Sequence, residues 1–436
     1  MTMVQVVGAG LAGCEAAVQL ARRGVAVRLF DMKPAQRSPA HHSDRFAELV
    51  CSNSLKAARV SAAAGLLKEE MRRFGSVCMA AADVSSVPAG GALAVDRDRF
   101  SEEITRVVEN CPGIEIIHSR VDDWDPAQPT ILATGPLTED RLFAKIAERC
   151  GGALSFYDAA APIVTTESVN MSLAFRASRY DRGGDDYINC PMNRAEYEAF
   201  YYALVSSERA DQKDLEKGLP LYEGCMPIER MAMRGQDTIR FGPLKPVGLR
   251  DPRTGHRPWA NVQLRAENRE GTLCNLVGFQ TNLKFAEQKR VFSLIPALHD
   301  AEFVRYGVMH RNSFLRSPQV LNVDLSMKEA PLTFFAGQIT GVEGYMESAS
   351  SGILAGVNMA RKLGGEAPLI LPRFTMLGAL TAYVTQGGAA DFQPMGANFG
   401  ILPPLDAPIR DKRERGEALA ARSLLWYDQN EGVLKS

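Results

Sequence analysis

Two cysteines stand where chemistry is possible. Cys51 lies in "ELVCSNSLK" (48–56) and Cys225 in "LYEGCMPIERMA" (221–232). The first follows a basic, histidine-containing stretch (32–46), and the second sits between Gly224 and the Met226–Pro227 pair. Both read as polar turns rather than core, and 174 positions separate them. A thiol in such a turn serves as a nucleophile or an acid–base group once a cation or a helix end favours its thiolate. The eight cysteines, at gaps of 27 to 49 residues, include no CxxC and no clustered Cys/His spacing. That pattern argues against a zinc site, an iron–sulfur cluster and a dithiol redox pair, and no metal is expected.

The best-defined motif comes earlier. "VQVVGAGLAGCEAAVQLARRGVAVRLFDMKP" (4–34) reads as strand, glycine turn, helix and second strand. Gly8, Gly10 and Gly13, with Ala9, Leu11 and Ala12 between them, form GxGxxG. The first glycine permits the tight turn, the second lets a pyrophosphate approach the backbone, and the third lets helix and strand pack closely. The helix N-terminus then offers unpaired N–H groups to the phosphates. Asp31 closes the second strand 18 residues after Gly13, where a carboxylate accepts from ribose hydroxyls. Cys14, on the packed helix, reads as a small core residue. Two later segments favour FAD over NAD. "PTILATGPLT" (129–138) is a buried strand ending in Ala133-Thr134-Gly135, and "LTFFAGQITGVEGYMESASSGILAGVNMARKL" (332–363) is a strand, a glycine-rich loop carrying Gly337 and Gln338, and a long helix. The N-terminus of such a helix can stabilise a reduced, anionic flavin. The spacing resembles FAD enzymes of the glutathione reductase type, many of which carry Asp where this chain has Gln338.

These elements need a scaffold. With 436 residues, 46% hydrophobic and 23% charged, the chain reads as an ordinary globular protein of two or three domains. A formal net charge of −1 excludes a global basic field, so nucleic-acid binding must come from a local patch. No secretory leader and no apolar run of membrane-spanning length is evident, so a cytoplasmic location with reduced thiols is expected. Residues 1–165 alternate strand and helix, about 166–320 are richer in Arg, Tyr and Asn, and flavin-fold signals return after that. The expectation is an α/β protein: a discontinuous FAD-binding, Rossmann-like domain (1–165 and 321–436) with an inserted second α/β domain (166–320) on the substrate side. The segment 191–207 carries a helical pattern, and 409–430 reads as a charged surface helix.

"VVGAGLAGCEAA", "ELVCSNSLK", "YEGCMPIE", "NLVGFQTNLK", "FAGQITGVEGYMESA" and "MGANFGILPPL" together resemble the folate- and FAD-dependent tRNA uracil-5-methyltransferases, over about residues 1–405. The flavin segments are shared with a larger relative, the tRNA wobble-uridine carboxymethylaminomethyl enzyme, whose C-terminal helical domain this chain is expected to lack. "CSNSLK" and "EGCMPIE" are the more specific to the methyltransferase. The resemblance implies formation of 5-methyluridine at position 54 in the tRNA T-loop. The one-carbon unit would come from 5,10-methylenetetrahydrofolate and the electrons from FAD reduced by NADPH or NADH.

Uracil C5 is a poor nucleophile until a thiolate adds at C6 and turns the ring into an enolate. A second thiol or base must then take the C5 proton. By the family pattern Cys225 is placed closest to the covalent chemistry and Cys51 as its partner, with the reverse assignment open. Lys56, or Lys33 and Arg37, are the cations expected to favour the Cys51 thiolate. The base must leave its stack, which calls for aromatic faces and phosphate-binding cations. "KPVGLRDPRTGHRPW" (245–259) offers them, with Arg253, Arg257 and Trp259 as candidates. Asn398 and Phe399 are candidates for a folate and flavin loop, and His41 and His42 for the mouth of the site. The rival readings are the wobble-uridine paralogue, a flavin reductase without an RNA partner, and a non-catalytic tRNA-binding or chaperone flavoprotein.

Overall fold

The computed structural model describes residues 3–38, 40–159, 161–181, 184–210, 226–307, 309–387 and 392–435. Cys225 lies outside them. A five-stranded parallel sheet runs in the order Thr333–Phe335, Thr130–Leu132, Met3–Val7, Ala26–Asp31, Ile114–His118. Its strands come from both halves of the chain, and their near-continuous apolar runs suit a sheet covered on both faces. A six-stranded sheet lies between in sequence, in the order Phe175–Arg176, Tyr187–Met192, Ala260–Ala266, Leu273–Leu276, Ile163–Thr165, Phe303–Arg305, with every pair antiparallel. An antiparallel pair, Ala153–Ala159 with Met309–Leu315, joins the two regions.

The antiparallel sheet has two unlike faces. Ile188, Cys190, Met192, Val262, Leu264, Cys274 and Leu276 point into an apolar core of their own. Between them alternate Asn189, Asn261, Gln263, Arg265 and Asn275, which are also buried. Side chains at alternate positions face opposite ways, so this polar row looks out of that core, and Arg265 from it reaches Ser52 and Asn53.

Two long helices meet behind the parallel sheet, Leu11–Arg22 and Tyr345–Leu363. Their backbones approach closely because small residues line the crossing. A Cβ on Gly352 would fall 2.1 Å from the Ala12 carbonyl oxygen, and one on Gly356 would fall 2.7 Å from that of Ala16. The C-terminal helix Lys412–Gln429 is not only a surface element. Leu419, Ala420, Ser423 and Tyr427 on one face are buried. Nor is 191–207 all helix: Met192 ends a strand, Asn193 caps the next element with a capping box, and the helix is Arg194–Val205.

Glu70 ties three helices together. Its carboxylate accepts from Met376 N and Leu377 N at 2.7 Å, from Ser423 Oγ at 2.6 Å and from Tyr427 Oη at 3.3 Å. Burial pushes this carboxyl up to about 7 against those hydrogen bonds, which favour the ionised form. A carboxyl whose pKa rises on folding contributes stability that is complete below its ordinary value of 4.5 and is lost as pH climbs through about 7.

Two outcomes follow. Gly352→Val should destabilise the protein by about 1–3 kcal/mol or more through overpacking, read as a lower thermal midpoint; an unchanged midpoint would show that the helix crossing tolerates a side chain. The stability advantage of the parent over Glu70→Gln should shrink as pH rises from about 5 to about 8. Thermal scans across that range test it, and a pH-independent difference would refute the titration assigned to Glu70.

Candidate active site

A cleft opens at the carboxyl ends of the parallel strands, the usual ligand position in open α/β sheets. It is lined by Gly8, Ala9, Gly10, Leu11, Ala12, Asp31, Thr134, Gly135, Gly337 and Gln338. Gly13 stands behind them, and its absent side chain is a packing requirement: a Cβ there would lie 1.7 Å from the Gly8 carbonyl oxygen. Gly8 adopts φ +101°, and its Cβ would meet the Ala133 carbonyl oxygen at 2.6 Å. Gly10 differs, because a Cβ there would meet nothing within 4 Å. Its smallness serves the cleft and not the fold. Asp31 braces the turn as well as facing the cleft, since Oδ2 accepts from Ala9 N and Oδ1 from Lys33 N, both at 2.9 Å. Helices Leu11–Arg22 and Tyr345–Leu363 both begin at the cleft with glycine caps that carry no side chain to occupy their first N–H groups. The glycine-shaped cradle, the helix ends and the carboxylate fit a dinucleotide of the FAD kind.

Val50 and Tyr345 also line the cleft, and they connect it to Cys51. The Tyr345 hydroxyl accepts from Cys51 N at 2.7 Å and from Ser52 N at 3.1 Å. Arginines hold the same loop by its carbonyls and side chains. Arg97 donates to Leu49 O at 2.7 Å and to Cys51 O at 3.4 Å, and Arg305 to Val50 O at 2.6 Å. Arg265, reaching across from the polar sheet face, donates to Asn53 Oδ1 and Ser52 Oγ, both at 2.9 Å. Glu267 pairs with Arg97 at 2.6 Å. Burial lowers Arg265 and Arg305 from the ordinary guanidinium value. Burial is the largest influence on Arg97 and works against it, but Glu267, Tyr345 and Cys51 together outweigh it and raise the group. Burial first, and then Cys51, pushes the Tyr345 phenol up.

Among the described residues, Arg97 and Arg265 are cations that feel Cys51 electrostatically. The lysines and arginine expected from the sequence are engaged elsewhere. Lys33 is buried and donates to Arg45 O, Arg37 pairs with Asp44, and Lys56 pairs with the buried Glu347 at 2.6 Å. The folate-loop candidates also move. Asn398 closes its own turn, accepting from Gly400 N at 3.0 Å and donating to Gly396 O at 2.9 Å, while Phe399 packs toward Gly416. The part of that loop that meets the start of the helix Tyr345–Leu363 is 395–397, where Met395 N donates to Gly341 O and Ala397 N to Glu347 Oε1, both at 3.0 Å. His41 lines the cleft, whereas His42 is exposed with its N–H on Glu48.

The expected RNA patch is partly committed. Arg253 is held by Asp251 at 2.8 Å, Arg257 is exposed, and Trp259 is half-buried beneath Arg240, whose guanidinium lies 3.8 Å from the ring centre. Among the described residues no group of three or more His, Cys, Asp or Glu is placed to hold a metal, and no helix is long and apolar enough to cross a membrane.

A family model described as glucose inhibited division protein A matches residues 3–367. The chain is 56% identical over 430 residues to a methylenetetrahydrofolate--tRNA-(uracil-5-)-methyltransferase TrmFO of Desulfitobacterium hafniense, covering 98% of both chains. The chain belongs to the TrmFO family. A second relative of that name, from Geobacter sulfurreducens, is 55% identical over 426 residues and covers 98% of each chain. Among solved structures, GidA of Aquifex aeolicus superimposes with a TM-score of 0.71 at 16% identity, over 99% of this chain and 73% of that one. That likeness establishes the flavoprotein-type α/β fold.

The geometry separates two kinds of glycine. Gly10→Ala should leave the thermal midpoint of the FAD-free protein unchanged and weaken FAD binding about tenfold or more, the 1.4 kcal/mol scale of one spoiled contact. Gly8→Ala should lower the midpoint itself. Flavin titration and thermal scans of both variants decide it; equal behaviour would contradict the distinction.

Proposed function

We propose that this chain transfers a one-carbon unit from 5,10-methylenetetrahydrofolate to C5 of a tRNA uridine, position 54 of the T-loop, giving 5-methyluridine. The observation that carries this reading is a physical link between Cys51 and the cofactor cleft: Tyr345 lines the cleft and holds the Cys51 and Ser52 amides. Membership of the TrmFO family supplies the substrate class. When bound, FAD would supply the reducing chemistry that takes the transferred carbon to a methyl group, with NADPH or NADH as the reductant. Gly10, Leu11 and Ala12 would hold its pyrophosphate, Asp31 its ribose, and Gly337 with Gln338 the far end.

The residues around Cys51 suit thiol chemistry. Arg97 and Arg265 place two guanidinium groups at the loop, donating to Leu49 O, Cys51 O, Asn53 Oδ1 and Ser52 Oγ. Five contacts to the backbone of residues 49–52 hold the loop in one place, so the sulfur is delivered without a conformational search. Cys225 is proposed as the thiol closest to the covalent step at C6, with Cys51 controlling the proton at C5. The stretch 166–320, carrying Arg257, Arg253 and Trp259, is proposed as the tRNA side, flanking a discontinuous FAD-binding part at 1–165 and 321–436. A cytoplasmic site of action follows from this substrate.

Purified yellow protein, an unmodified tRNA transcript, methylene-labelled methylenetetrahydrofolate and NADPH should yield labelled 5-methyluridine in the T-loop, mapped by nuclease digestion and mass spectrometry. Cys51→Ala and Cys225→Ala should each abolish it, a loss of at least about a thousandfold for a nucleophile or its base, with FAD retained. Label at the wobble position would favour the paralogue's chemistry, and full activity in both variants would end the two-thiol reading.

A further inference from the structure

The segment that carries Cys51 is bounded by two residues in a conformation that side chains disfavour. Ala47 adopts φ +52° and Lys56 φ +65°. A left-handed residue other than glycine persists where its surroundings over-determine it. Ala47 is held by the glycine turn, since its N–H donates to Ala9 O at 2.9 Å, and its carbonyl accepts from Ser101 Oγ at 3.4 Å. Lys56 is held through its side chain, whose Nζ donates to Glu347 Oε1 at 2.6 Å and to Glu343 O at 3.2 Å. The residue before it is fixed as well, because the buried Lys68 donates to Leu55 O at 2.6 Å.

Glu347 is 1% exposed and follows Tyr345 by two residues, in the first turn of the helix Tyr345–Leu363. That one turn grips the segment twice, through the Tyr345 hydroxyl at the Cys51 and Ser52 amides and through Glu347 at Lys56. The same Glu347 oxygen accepts from Ala397 N, which brings a third segment to this point. Glycines make room for the pair: a Cβ on Gly344 would fall 2.6 Å from Lys56 Nζ, and one on Gly396 would fall 3.2 Å from it. An acid in a first helical turn needs no lysine, because the helix end itself favours the negative charge. Here the carboxylate also faces two ammonium groups, Lys56 by direct contact and Lys68 electrostatically. Its arrangement serves the segments it joins as well as its own helix.

We propose that Glu347 is a positioning residue for Cys51, acting through Lys56. The ion pair closes a clasp: the segment is pinned to the glycine turn at Ala47 and to the helix start at Lys56, with Cys51 between the pins. The helix that supplies Tyr345 and Glu347 is itself fixed by its crossing at Gly352 and Gly356, so the clasp sets Cys51 relative to the cleft. Without the pair, the left-handed backbone at Lys56 loses the contact that holds it and relaxes. A displacement of about 1 Å at a reacting group costs about a hundredfold in rate. The consequence for rate rests on the methyltransferase reading above; the consequence for the segment's rigidity does not.

The test uses the FAD-bound protein and three variants: Glu347→Gln, Lys56→Gly and the two combined. Glu347→Gln leaves no buried charge without a partner, since Lys56 is exposed and can turn to water. Lys56→Gly removes the pair but keeps a residue that accepts the left-handed backbone. Amide exchange over residues 51–57, read by mass spectrometry, should quicken about tenfold or more in each variant. On the tRNA transcript, kcat should fall about ten- to a hundredfold, with KM for tRNA within about twofold of the parent and FAD content retained. The combined variant should be no slower than the slower single one, as expected for one shared interaction. Unchanged exchange in Glu347→Gln, a kcat within about threefold of the parent in either single variant, additive losses in the combined one, or loss of FAD in step with rate would each overturn the assignment. A parent enzyme that makes no methylated uridine fails the methyltransferase reading, and the exchange comparison then still decides whether the clasp exists.

Discussion

The crossing of Leu11–Arg22 with Tyr345–Leu363 is the constraint on which the rest depends. Backbone meets backbone at Ala12–Gly352 and Ala16–Gly356, and neither helix can shift without a clash or a gap. The crossing fixes both helix N-termini at the mouth of one cleft. It also fixes Tyr345, the first residue of the second helix, against the loop that carries Cys51. A packing decision made by small residues thus sets where a positive helix end lies and where a reactive sulfur stands.

The second constraint is electrostatic. Arg97, Arg265 and Arg305 converge on one short loop, while Glu267 is the carboxylate directly paired in that group. Buried cations need partners, and here the partners are largely backbone carbonyls and polar side chains of residues 49–53. The loop compensates the arginines, and the arginines rigidify the loop. The surplus of positive charge that remains is what an anionic substrate would neutralise. The polar face of the antiparallel sheet makes this possible, because a conventional apolar face would have no reason to stay open to charged groups.

Much of the fold was legible because its signals are local. The glycine turn, the strand that follows and Asp31 lie within one stretch, and each has a direct steric or hydrogen-bonding cause. Thr134, Gly135, Gly337 and Gln338 were legible from short strand-and-turn patterns. Arg97, Arg265, Arg305 and Tyr345 were not, because each comes from a different element and only the tertiary fold brings them to Cys51. A signal for Arg265 was nonetheless present. "YINCPM" and "ANVQLRA" alternate apolar with Asn, Gln or Arg, which is the mark of a sheet whose second face is polar and claimed by something else. Lys33, Lys56 and Arg37 misled because nearness in sequence to Cys51 said nothing of Arg45, Glu347 and Asp44, which hold them. Asn398 lies in a turn that its own side chain closes, through Gly396 O and Gly400 N, a local role that its sequence position did not reveal.

The order of the parallel sheet has a consequence for how the chain is made. Thr130–Leu132 leaves the ribosome early, but its outer neighbour Thr333–Phe335 follows only some 200 residues later, roughly 10–40 s at ordinary rates of synthesis. Through that interval the sheet has an unpaired edge, and the small-residue face of Leu11–Arg22 has no helix against it. The intervening residues carry a separate apolar core of their own, so they have the means to condense while the first portion waits. The cofactor cleft, lined from both portions, can be completed only after the strand Thr333–Phe335 and the start of the helix Tyr345–Leu363 have been made.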